Sequence, residues 1–133
     1  AGEALGEASL GAWIEVCTTD VVRGALRTVQ QREGMHARLL EARLKELGGS
    51  PKIEIPEERY AQTMEAVGTR DKSDVEKLLA FTQRFPDPDA AIQPILDMAE
   101  RADAETGALL RTIAQDERAT LICLGELCSE LSA

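Results

Sequence analysis

The sequence predicts an all-α chain: an antiparallel four-helix bundle built from two helical hairpins joined by a helical crossover. Three observations carry this expectation. Apolar residues recur at three- and four-residue steps along four long stretches. No stretch shows the alternating β-branched pattern of a strand. Finally, residues 24–47 (GALRTVQQREGMHARLLEARLKEL) and 107–131 (GALLRTIAQDERATLICLGELCSEL) repeat one another. Setting Glu33 on Glu117, an offset of 117 − 33 = 84, also matches Leu26 with Leu110, Arg27 with Arg111, Thr28 with Thr112, Gln31 with Gln115 and Leu47 with Leu131. Self-similarity at a fixed offset marks a duplicated structural unit.

The 133 residues suit a single domain over 1–133. Hairpin 1 is expected over about 3–47, the crossover over about 48–87 and hairpin 2 over about 88–131. Aromatic residues make up only 3% of the chain. The core must therefore be Leu, Ala, Ile, Val and Met, which favours helix packed on helix.

The first helix is expected over 3–17, with Leu5, Leu10, Trp13, Ile14 and Cys17 as its stripe. Thr18, Thr19 and Asp20 break it, and Asp20 suits the N-cap of the next helix. That helix, 21–47, repeats Ala25, Leu26, Val29, Glu33, His36, Leu40, Leu44 and Leu47 on one side. At 1.5 Å per residue it spans about 40 Å. Gly48 and Gly49, with Pro51 beyond, end it. In the connection that follows from Lys52, Pro56 and two acids open a short helix ending near Gly68. Ser73 to Glu76 forms a capping box for another, with Leu78, Leu79 and Phe81 as its apolar face. Asp87 and Pro88 start the third long helix, whose stripe is Ile92, Ile95, Leu96 and Met98. A turn at 102–105 leads to the fourth, 106–131.

Charge narrows the function. The net charge of −9 argues against nucleic acid, whose recognition rests on Lys and Arg neutralising phosphates. It equally disfavours anionic membrane surfaces. No run of about 18 apolar residues is present, so no bilayer-spanning segment is expected. Cys17, Cys123 and Cys128 form no CxxC pair, which makes a disulfide framework or a tetracysteine metal site unexpected and suits a reducing, cytoplasmic setting. No Ser-His-Asp set or Gly-rich phosphate loop appears.

One stretch carries chemistry. His36, the sole histidine, follows Glu33 by three residues. Three helical residues advance about 300°, so the two side chains lie about 60° apart on one face. A carboxylate and an imidazole so placed can share a metal ion. Glu117 repeats Glu33, but Thr120 stands where a second histidine would fall, and Ala91 falls where Glu7 repeats.

With Glu33-x-x-His36 and the partial repeat at Glu117, the chain resembles the ferritin-like superfamily, nearest its rubrerythrin-like members. The resemblance implies a four-helix bundle with metal ligands Glu33 and His36 from the second helix and Glu117 from the fourth. Glu7 is the first-helix candidate, because it precedes the first turn by about as much as Glu33 follows it; Glu3 is the runner-up. Missing ligands at Thr120 and Ala91 imply one ion of iron, manganese or zinc per chain rather than two. Oxidase- or peroxidase-type redox activity goes with such a site. The residues leave a second reading open: a non-enzymatic scaffold or interaction protein whose metal site has been lost. Ferritin-like proteins commonly associate, and the apolar crossover helix must pack somewhere, so a homodimer is also expected.

Overall fold

A computed structural model describes residues 2–50 and 55–133; Pro51 and Lys52, expected to end one helix and begin the crossover, lie outside them. The described residues form six α-helices and no strand, so the chain is all-α. It divides into two compact units, Ala1–Asp74 and Val75–Ala133.

The first unit contains α1 (Gly2–Val16), α2 (Asp20–Glu46) and α3 (Glu57–Gly68). α1 packs on both α2 and α3. The α1–α2 contacts run in opposite order along the two helices. Gly11 meets Gln30, Gly6 meets Glu33, and Glu3 approaches His36. This is the hairpin geometry that a three-residue connection imposes. Val22, Leu26 and Val29 form the buried stripe of α2, with Trp13 and Cys17 buried on the α1 side. Each such side chain withdrawn from water contributes about 1.5–3 kcal/mol. Continuing the stripe by steps of four and three leads to Glu33 and His36. The same face is apolar near the turn and polar farther out.

α2 outruns the stripe. Glu3, in the first turn of α1, already approaches His36, and α2 continues from there to Glu46. Leu44 and Leu47, expected on the buried side, are exposed. The helix ends as its glycines suggest. Gly48 has φ +82°, its N–H donates to Lys45 O at 3.0 Å, and Gly49 N–H donates to Leu44 O at 2.9 Å. These are the two bonds of a Schellman stop, which needs a left-handed residue that glycine supplies without strain.

The start of α2 differs from expectation. Asp20 lies in the first turn, and the cap residue is Thr19, whose side chain makes no capping bond. The cap comes instead from Asp74, first residue of α4 (Asp74–Arg84). Its Oδ2 accepts from Thr18 N and Thr19 N at 3.0 Å each and from Thr18 Oγ1 at 3.3 Å. Its Oδ1 accepts from Trp13 Nε1 at 3.0 Å. A carboxylate at a helix N-terminus meets donors and a favourable dipole together. Burial by itself raises the Asp74 pKa. Hydrogen bonds led by those of Trp13, Thr19 and Thr18 outweigh it and hold the carboxyl at about 2, below its ordinary 3.8. Nearby, burial, assisted by the Asp74 charge, pushes the Cys17 thiol up and leaves it a core group rather than a nucleophile. Arg23 closes the turn, donating to Cys17 O at 2.6 Å and to Asp20 Oδ1 at 2.7 Å.

The second unit holds the rest of α4 with α5 (Pro88–Arg101) and α6 (Ala104–Ser132). Leu78, Ile92, Ala99, Ile113, Ala114, Leu124 and Cys128 are buried there. α5 and α6 also pair in opposite order, since Asp89 bonds Arg118 at 2.7 Å while the backbone of Ala99 lies against Gly107. A methyl group at Gly107 would stand 2.8 Å from Ala99 O, so the two helices cross closely at this point. The turn is tighter than expected because Asp103 accepts from Thr106 N at 2.9 Å and starts α6 at Ala104. Met98 points outward and Ala99 inward, which moves the α5 stripe by one residue. On α4, Leu78 is buried and Leu79 exposed. Asp87 caps α5 by accepting from Asp89 N at 3.0 Å and Ala90 N at 3.3 Å. Asp87→Ala is expected to lower stability by about 1 kcal/mol, measurable as a shifted urea midpoint with unchanged slope.

Candidate metal centre

The site is built on the polar end of the α1–α2 hairpin. Glu33 and His36 come from one face of α2, a turn apart, and Glu3 comes from the first turn of α1. Glu3, Glu33 and His36 each offer a ligand atom within 4.8 Å of the others. His36 is 1% exposed, which removes its imidazole from bulk water. Its Nδ1 lies 3.5 Å from Glu3 Oε2, an ion pair only when the ring is protonated. Glu3 Oε2 is itself buried and accepts no hydrogen bond from the described residues. A buried carboxylate oxygen left this way carries a desolvation penalty of about 1–3 kcal/mol or more. A cation would offset it.

The helices come close enough for this because of two glycines. A Cβ built at Gly6 would stand 2.9 Å from Glu33 Oε2 and 3.4 Å from its Cγ and Cδ. One built at Gly34 would stand 2.6 Å from Glu7 Oε1 and 2.7 Å from its Cδ. Each helix thus receives a carboxylate of the other against a bare backbone position. Glu33 seated at Gly6 remains within reach of His36. Glu7 is seated at Gly34, while Glu3, one turn earlier, joins Glu33 and His36. Counting residues from the turn favours Glu7, but register depends on which side chains find space. Gly6 and Gly34 were the available signal for that.

Glu117 lies half-buried on α6 of the second unit, and Thr120, three residues on, is buried. The ligand types of the first-unit cluster, two carboxylates and one imidazole, fit iron, manganese or zinc. No cysteine belongs to the cluster among the described residues, so its ligands are carboxylate and imidazole only. Among the described residues no helix is long and apolar enough to cross a membrane.

Comparison with protein-family models, with characterised proteins and with solved structures returned no match. The ferritin-like resemblance therefore rests on the motifs of the sequence itself.

Proposed function

We propose that the protein binds one transition-metal ion per chain, iron, manganese or zinc, at Glu3, Glu33 and His36. The observation that carries this is the buried Glu3 oxygen without a hydrogen bond from the described residues, 3.5 Å from a fully buried imidazole and grouped with Glu33. A bound ion would supply Lewis acidity and, for iron or manganese, one-electron redox chemistry of oxidase or peroxidase type. The chain's residues would hold the ion by two charges and one neutral nitrogen and shield it from bulk water through burial of His36. Glu117 is proposed as a further carboxylate ligand, supported by its alignment with Glu33 in the sequence repeat. The wider arrangement belongs to the same proposal: a ferritin-like, antiparallel four-helix bundle, cytoplasmic, associating as a homodimer through exposed apolar residues such as Leu79.

A competing reading has no metal. Protonated His36 then pairs with Glu3, and the cluster is a polar patch on a scaffold. The geometry that favours this is the same 3.5 Å approach.

Anaerobic titration with Fe(II), Mn(II) and Zn(II) separates the two. Saturation near one ion per chain is expected for at least one of them. Comparison of two variants then tests the ligand set. Glu3→Ala should weaken binding about tenfold or more, as loss of a direct ligand should at least match changes behind the ligands. Glu7→Ala, whose carboxylate is seated at Gly34, should weaken it less. Equal losses, or a larger loss from Glu7→Ala, would return the first-helix ligand to Glu7.

A further inference from the structure

Glycine weakens a helix relative to alanine, yet Gly6 lies inside α1. Its surroundings account for it. The Glu33 carboxylate occupies the volume where a Cβ would stand, with Oε2 at 2.9 Å. Gly24, inside α2, meets nothing within 4 Å of the same construction. The two glycines share a helical setting and differ in what the missing methyl group leaves room for.

We infer that Gly6 is a positioning residue of the proposed metal centre: its bare backbone holds the Glu33 carboxylate beside His36 and Glu3. The inference rests on the metal-binding reading for its functional consequence, but not for its geometry. Glu33 rises from α2 toward α1. A methyl group at position 6 would meet not only the carboxylate oxygen but also Cγ and Cδ, both at 3.4 Å. The side chain must then swing as a whole. Flexible side-chain atoms, not backbone, lie in the way, so the helices keep their packing and the variant folds. What moves is the carboxylate, and with it one of three ligand atoms now within 4.8 Å of one another. The residue acts through Glu33 and touches no ion itself.

Gly6→Ala and Gly24→Ala, made in the full chain, form the test. Both replace a helical glycine by alanine, so a change confined to the first reports the space and not helix propensity. His36 is the sole histidine, which gives one set of imidazole nitrogen signals. In metal-free protein, Gly6→Ala should shift those signals, and Gly24→Ala should leave them in place. With Mn(II) added, Gly6→Ala should bind at least tenfold more weakly than wild type, and Gly24→Ala equally well. Imidazole signals unmoved by Gly6→Ala overturn the inference. So does unchanged Mn(II) affinity when the wild type binds. If the wild type takes up no Mn(II), the metal-binding reading loses that ion, and the imidazole shift in metal-free protein alone decides the role of Gly6.

Discussion

Replacing His36 with alanine is expected to weaken metal binding by tenfold or more. The proposed set contains a single nitrogen donor, because the chain contains a single histidine. What remains after the change is Glu3 and Glu33, two carboxylates that bring negative charge but no imidazole. Carboxylates with water suit magnesium, calcium or manganese, whereas imidazole suits zinc and iron. Zinc and iron should therefore lose more than manganese. Changes behind a metal's ligands already reduce affinity about 10–100-fold, so removal of a direct ligand should do at least as much. The folded protein has its own stake in this residue. His36 is fully buried, and truncation leaves a cavity and removes the imidazole that approaches Glu3. Parallel titrations of wild type and His36→Ala with the same three ions check the prediction, and thermal melts without metal separate lost affinity from lost fold. Equal affinities would remove His36 from the ligand set.

Asp74→Ala should be the most destabilising single change at the turn of the first unit. It would leave the Trp13 indole N–H and the backbone N–H groups of Thr18 and Thr19 without their acceptor. Each buried group left unmade costs about 1–3 kcal/mol, with water able to reach those at the turn. A total near 3 kcal/mol is expected, or a melting temperature lower by roughly 10 °C. Acid should reproduce part of the effect. The folded carboxyl titrates at about 2 against 3.8 ordinarily, so the folded state holds the charged form more tightly than the unfolded chain does. Its contribution is therefore fully present above about pH 4. It declines as pH falls from 3.8 toward 2. The shift corresponds to about 2 kcal/mol. Asp74→Asn cannot lose that charge and should lack this part of the acid transition. Its stability should lie between wild type and Asp74→Ala. Urea unfolding across this pH window measures all three proteins.

The long helices were legible because their causes are local. Leu26 and Val29 sit at helical spacing and are buried, and Gly48 and Asp87 stop and start helices with their own backbone and side chain. The cap of α2 was not legible. Asp20 has the right residue type but lies inside the first turn, and Asp74, some fifty residues away in sequence, accepts from Thr18 N and Thr19 N just ahead of it. No local pattern announces that contact. Leu44 and Leu47 continue the periodic stripe yet are exposed, since periodicity says which face is apolar and not how far a neighbouring helix extends. At the site, the α2 motif was legible as Glu33-x-x-His36. The α1 contribution depended on register between two helices, and register follows where Gly6 and Gly34 leave room. Glycine in a helix is easily read as a weakness in that helix alone. Here it marks a place where a facing side chain comes to lie.

The central claim is that Glu3 and Glu33, both half-buried, hold a metal ion together with the buried His36. Elemental analysis of the protein, purified without chelators and without a metal-affinity step, tests it most directly. The expected result is one equivalent of iron, manganese or zinc per chain in the wild type and a small fraction of that in His36→Ala prepared identically. Wild-type protein with no more of any of these metals than His36→Ala, before and after anaerobic incubation with each, would contradict the claim.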